Sequence, residues 1–293
     1  MIGILRECRM WRVMKSILTL TPEESKRLIA KAVVRMEMVK KARTDGIIGL
    51  ARCSTNGYIV EELIGRKLDN IMSYCSGYIS GKGSCAVHSK NKTDLLVLVR
   101  GEEIWLHHTD GNILKFIDRM DCDDVIIKSG NVIDPAGQVG TLVGHPTGGE
   151  AGNYLPYILA KGIHLIVPML ISKSSPLPLA QVIQKLGTSK IRVDRSHGIV
   201  CGMIPLPGLV VTEIDALRIL CNVGSIPIAV NGIGSGRGSV TLLLEGDAKA
   251  IDAAWDTVNG IKGEPPLEEF PSHCDQCHVK DDPEIAARCA GRG

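Results

Sequence analysis

Apolar positions along this chain recur with two different periods, and the switches between them lay out the expected elements. The first sustained helical period falls on Leu28, Ile29, Ala32, Val33, Met36 and Val39, with Lys and Arg on the opposite face. Thr21-Pro22-Glu23-Glu24 stands before it: Thr21 can cap, Pro22 suits the first helical position and Glu24 completes a capping box. Asp45-Gly46 ends this helix, and a strand is expected over 47–51. A loop, Arg52 to Gly57, then leads to a helix from about 58 to 64. Residues 94–100 read as a strand whose interior, 95–99, is continuously apolar, the pattern of a parallel strand covered on both faces. A helix around 112–119, short strands at 124–128 and 138–143 and a helix over 150–161 follow. The most apolar strand candidate spans 163–171, where Pro168 implies a bend or a sheet edge.

Strands alternating with helices predict an α/β fold whose main sheet is mostly parallel and Rossmann-like. After a polar connector at 188–196 the grammar changes to strand 199–204, helix 211–221, strands 226–233 and 239–245, and a helix over 248–258 capped by Asp247. That order suits a smaller α+β domain, and it resembles a ferredoxin-like regulatory domain and a bacterial microcompartment shell domain equally. The expected division is a helical segment at 1–46, an α/β ligand-binding domain at 47–195, the α+β domain at 196–262 and a cysteine-rich tail at 263–293.

Composition narrows the partners. Aromatic residues make up only 3%, so the core must be aliphatic and base-stacking platforms for single strands are disfavoured. A net charge of +2 supplies no broad basic field, so neither nucleic acid nor an anionic membrane is an expected partner. Residues 1–20 are interrupted by Arg6, Glu7, Arg9, Arg12 and Lys15, and no signal peptide is expected. No uninterrupted apolar run approaches the ~18 residues of a membrane span. A cytoplasmic location with reduced thiols is the expectation.

Three loops fall where α/β proteins put ligands, at strand ends leading toward helices. The first carries Ser54, Thr55 and Asn56 before a helix N-terminus, which favours anions. The second is Lys128-Ser129-Gly130-Asn131, a cation followed by a glycine that permits close backbone approach. The third is Gly144-His145-Pro146-Thr147-Gly148-Gly149-Glu150. Together they can hold a phosphate or carboxylate; the alternative is that each glycine makes a tight turn and each hydroxyl caps a helix. The third loop is no Walker A motif, since Glu150 stands where lysine is needed, and GxGxxG is absent, so no nucleotide cofactor motif is found. Glu150 is a general-base candidate or a simple complement to the helix dipole. His145 is the alternate proton-transfer group, and Gly234–Gly238 reads as a hairpin loop.

The strand–Ser-Thr-Asn–helix unit at 47–64 resembles the first phosphate loop of the ribose-phosphate isomerase, glucosamine-phosphate deaminase and CoA-transferase superfamily. Residues 125–131, followed by Leu165-Ile166-Val167-Pro168 and Ser172-Lys173-Ser174, resemble that superfamily's lysine–glycine loop and the strand after it. The isomerases' acidic run is missing, Asp121-Cys122-Asp123-Asp124 being the nearest acidic cluster. The resemblance implies an α/β fold that takes a small anionic metabolite, a sugar phosphate or acyl thioester, with isomerase-like proton transfer by Glu150 or His145 and with Lys128 at the anion. The alternative is a non-catalytic sensor or homo-oligomeric assembly module.

The tail holds His273-Cys274-Asp275-Gln276-Cys277-His278 and, further on, Cys289. CxxC brings two sulfurs to one metal, and His273, His278 or Cys289 can complete a tetrahedron for zinc, the set Cys274, Cys277, Cys289 and His278 being the expected one; c-type haem attachment at CxxCH and a tail of free thiols are the alternatives. His107 and His108 are adjacent, and on a strand they would face opposite ways and not share a metal.

Overall fold

The computed structural model describes residues 13–270 apart from 88, 109–112, 189–192, 194 and 195. Its first half comprises β1 (Met14–Leu20), α1 (Pro22–Val33), α2 (Glu37–Asp45), β2 (Ile47–Leu50), α3 (Ser54–Ile64), β3 (Gly77–Ser80), β4 (Gly83–Ala86), β5 (Leu95–Val99) and β6 (Glu102–Leu106). Next come α4 (Leu114–Ile117), β7 (Val125–Ile127), β8 (Val132–Ile133), β9 (Val139–Val143), α5 (Gly149–Lys161), β10 (His164–Pro168) and α6 (Leu179–Ile183). The remainder is β11 (Gly202–Leu206), β12 (Leu209–Val211), α7 (Glu213–Cys221), β13 (Gly224–Val230), β14 (Val240–Gly246) and α8 (Ala248–Asn259).

The fold is mixed α/β, built on a six-stranded sheet of order β12-β10-β7-β2-β5-β6. β12, β10, β7 and β2 run parallel, while β5 opposes β2 and β6 opposes β5. Strand alternation sends Ile48, Leu50, Leu96, Leu98, Val125 and Ile127 into one core, shared with α1, α3 and α7. Ile47, Leu95, Val97, Ile126, Leu165 and Val167 enter a second core with α4 and α5 on the other face. Each such aliphatic side chain contributes roughly 1.5–3 kcal/mol on burial. A separate antiparallel sheet, β1-β14-β13, closes over α1, α7 and α8. Smaller sheets are β11-β9-β8 and the hairpin β3-β4.

Several expectations hold. Thr21 and Glu24 form the reciprocal capping box at α1, and Asp247 caps α8 by accepting from the Ala250 N–H at 2.8 Å. Residues Gly234–Gly238 do join two antiparallel strands, β13 and β14.

Others are corrected. The run at 94–100 is a strand with both faces covered, but it is antiparallel to its neighbours. An unbroken apolar pattern reports burial, not direction. Direction is set by the two-residue turn Arg100-Gly101, whose φ values of 50° and 82° return the chain at once as β6. Pro168 marks no edge: it is the last residue of an inner strand, opposite Val211. The single helix expected up to Gly46 is two, because Met36 turns extended and lets α2 carry Val39 and Ala42 into the core beneath β2. The helix expected after Gly57 already begins at Ser54. The helix expected at 211–221 is preceded by the short strand β12.

Pairing also runs across the expected boundaries near 46 and 195. β1, inside the segment read as helical, pairs with β14; β11 pairs with β9, and β12 joins the six-stranded sheet. Cys274, Cys277, Cys289 and His278 lie outside the described residues. Among the described residues no helix is long and apolar enough to cross a membrane.

Candidate functional site

Parallel strands deliver the chain to one end of a sheet, and β2, β7, β10 and β12 all finish at the same rim. From β2 the chain enters Ala51-Arg52-Cys53 and then α3. Cys53 is the N-cap, with its sulfur accepting from the Asn56 N–H at 3.3 Å. From β7 it enters Lys128-Ser129-Gly130-Asn131, where the Lys128 N–H still pairs with the Ile166 carbonyl of β10 at 3.0 Å. From β10 it turns through Ile171–Lys173.

Glu150, at the start of α5, draws these segments together. Its Oε2 accepts from the Arg52 backbone N–H at 3.2 Å and lies 3.8 Å from Lys128 Nζ, while its Oε1 lies 4.0 Å from Arg52 Nε. All three expected loops therefore meet at one carboxylate. A fourth segment joins them, since Lys173 Nζ donates to the Gly130 carbonyl at 2.9 Å.

Burial makes this cluster unusual. Arg52 is 7% exposed and Lys128 9%. The Arg52 guanidinium lies over the Tyr74 ring, 5.9 Å from its centroid, and Nη1 donates to the Thr93 carbonyl at 2.7 Å. Its Nη2, although buried, finds no hydrogen-bond partner among the described residues, and neither do Thr55 Oγ1, Asn56 Oδ1 and the Tyr154 hydroxyl. Burial pushes the Tyr154 and Tyr74 phenols above their ordinary range, with the negative charge of Glu150 adding to the effect on both. Burial also pushes the Lys173 amine down to about 8, an effect that the negative charge of Glu213 opposes. Glu213, the first residue of α7, is held in turn by the Ile171 N–H at 3.0 Å, and burial raises its carboxyl.

The other expected residues divide. Ser54, Thr55 and Asn56 form the first turn of α3, and the Asn56 amide is turned inward, donating to the Ala51 and Ile127 carbonyls at 2.7 Å each. Asn131 is committed to its own neighbours, its Oδ1 accepting from the Leu142 N–H at 2.9 Å. Gly130 is required by packing, because a Cβ there would lie 2.2 Å from Val139 Cγ1. His145 and Thr147 stand exposed, joined by a 2.8 Å bond between Nδ1 and Oγ1. Gly148 and Gly149 take left-handed φ values of 84° and 57°, which turn the chain into α5 and so aim Glu150 inward.

Arg52, Cys53, Tyr74, Tyr154, Lys173 and Glu213 were not among the expected site residues. The rule that found Lys128, a polar residue just past an apolar strand, also applies to Arg52, Lys173 and Glu213. Tyr74 and Tyr154 carry no such signal, since they come from a turn and a helix. Compared with known proteins, the chain matches no family model, no curated sequence and no solved structure.

Proposed function

We propose that this chain binds a small anionic metabolite, a sugar phosphate or acyl thioester, at the ends of β2, β7 and β10 and moves a proton on it. The observation carrying this reading is the buried Arg52 Nη2, which has no partner among the described residues and lies on a guanidinium that, like Lys128, approaches Glu150. An unpaired buried donor of this kind costs about 1–3 kcal/mol, more when charged, and an anionic oxygen supplies the missing acceptor. Arg52, Lys128 and Lys173 outnumber Glu150 and Glu213, which leaves the cluster attractive to negative charge.

In the reaction proposed, on a sugar phosphate, Glu150 takes a proton from the hydroxyl-bearing carbon beside a carbonyl and returns it to the carbonyl carbon, while the hydroxyl proton passes to the carbonyl oxygen, so that carbonyl and hydroxyl exchange places. Arg52 and Lys128 stabilise the oxyanion that forms between the two steps. Lys173, whose amine burial brings down to about 8, stays largely protonated at neutral pH and donates a proton to the carbonyl oxygen, regaining one from the hydroxyl. This is the isomerase-like chemistry implied by the superfamily resemblance, and it fits a Rossmann-like reading of the four parallel strands. A cytosolic setting and a zinc ion on the tail residues Cys274, Cys277, Cys289 and His278 belong to the same proposal.

Thermal unfolding with inorganic phosphate, sugar phosphates and acyl thioesters at millimolar concentration tests binding. Stabilisation is expected by mass action and is lost in Arg52→Met and Lys128→Met. Proton transfer is read as solvent deuterium entering the bound compound, and it should vanish in Glu150→Gln. No stabilisation by any of these anions would end the reading.

A second reading, an assembly module, is favoured by one feature. The open edge strand β13 exposes Ile226 (52%), Ile228 (51%) and Val230 (46%), where a second copy would pair. Native mass spectrometry showing a symmetric assembly, with no response to anions, would favour it over catalysis.

A further inference from the structure

The hairpin β5–β6 opens at the same rim as the candidate site, because β5 opposes β2 and so begins where β2 ends. Its register sets Leu95 opposite Leu106, which places Asp94 opposite His107 one step beyond the ladder. Residues directly opposed across an antiparallel pair share a face. β6 stops at Leu106, and His108 is thereby freed from strand alternation. Its backbone N–H donates to Asp94 Oδ1 at 3.1 Å, and its Nδ1 lies 3.6 Å from the same oxygen. The two imidazole rings sit 4.4 Å apart between centroids, tilted by 38°. One ligand atom from each of Asp94, His107 and His108 falls within 4.8 Å of the other two. The expectation that adjacent histidines face apart holds for a regular strand, and this strand has ended.

We propose that Asp94, His107 and His108 bind one divalent transition-metal ion of the zinc class. Two imidazoles and a carboxylate form the donor set such ions accept, and three protein ligands leave a position open for water or a substrate oxygen. Metal–ligand bonds of about 2.0–2.2 Å put ligand atoms about 3.3 Å apart in a tetrahedron, so the side-chain tips must close by up to about 1.5 Å. Small χ adjustments of half-exposed side chains supply that movement. Thr93, the residue before Asp94, accepts from the Arg52 guanidinium through its carbonyl, so the three ligands lie on the rim that the proposed anion site occupies. The metal site stands on its own three ligands and does not depend on the anion reading.

The test uses the full chain, in which the tail cysteines are a rival site. Cobalt(II) is added to the parent chain and to a Cys274→Ser/Cys277→Ser variant, and zinc binding is followed by calorimetry. Binding of about one zinc per chain should persist in the cysteine variant, with cobalt spectra free of thiolate charge-transfer bands. Asp94→Asn keeps an acceptor for the His108 N–H but removes the anionic ligand. In the cysteine-variant background it should weaken zinc at least ~10-fold, and His107→Gln should do the same, each loss of one ligand being read against an unchanged circular-dichroism melt without metal. If the cysteine variant binds no zinc, or binds it equally well after Asp94→Asn and His107→Gln, the site does not exist.

Discussion

Replacing Asn56 with alanine removes a side chain that ties the ends of two neighbouring parallel strands together. Its amide donates to the Ala51 carbonyl beyond β2 and to the Ile127 carbonyl of β7, at 2.7 Å each, and the residue is fully buried. A neutral hydrogen bond contributes about 0.5–1.5 kcal/mol net, and a carbonyl left buried and unpaired costs about 1–3 kcal/mol. The Ile127 carbonyl keeps a second partner in the Ala51 N–H at 3.0 Å, so the penalty falls mainly on the Ala51 carbonyl. The expected loss is therefore about 2–4 kcal/mol. Urea unfolding followed by circular dichroism should show a lower midpoint with an unchanged slope, and the melting temperature should fall by about 4–12 °C. Asn56→Asp is the sharper probe, because it keeps the shape and turns the donor into an anionic acceptor facing two carbonyls. It must be more destabilising than alanine. A loss below about 0.5 kcal/mol for Asn56→Ala, or an aspartate no worse than alanine, would refute the clamp.

Asp247→Ala removes the N-cap of α8 and should cost about 1 kcal/mol in the same urea assay. Lys173 has a folded-state pKa of about 8, below that of the unfolded chain, so between about 8 and 10.5 the unfolded chain binds more protons and stability gains with rising pH. Lys173→Met should abolish that gain, seen as a shrinking difference between parent and variant melting temperatures from pH 7.5 to 9.5. Arg52→Met and Lys128→Met should separate anion binding from folding, as described above.

Elements whose signals are local were legible in the sequence. The caps at Thr21 and Asp247, the apolar strands and the glycine turn into α5 each depend on a few contiguous residues. Strand direction at 94–100 was hidden because burial on both faces looks alike for parallel and antiparallel strands, and only the Arg100-Gly101 turn decides. β1 was hidden because its inward residues, Leu18 and Leu20, alternate with Ile17 and Thr19, and its partner is remote in the chain. Around the candidate site, Lys128 and Glu150 were legible from their place after a strand and before a helix. Arg52 follows the same rule, yet the neighbouring hydroxyls of Ser54 and Thr55 masked it. The pairing of Asp94 with His107 and His108 needed a hairpin register that no single segment displays.

The hydroxyls of Thr19 and Thr241 meet across β1 and β14 at 2.9 Å, although they are separated by 222 positions in the chain. At a synthesis rate of roughly 5–20 residues per second, β1 leaves the ribosome about 11–44 s before its partner has been made. Leu18 and Leu20 must wait through that interval with their pairing edge unclaimed, which makes the nascent chain a client for chaperones that shield apolar segments. The first strand therefore cannot pair until the last has been made, and a chain truncated before Val240 should accumulate with β1 open to protease.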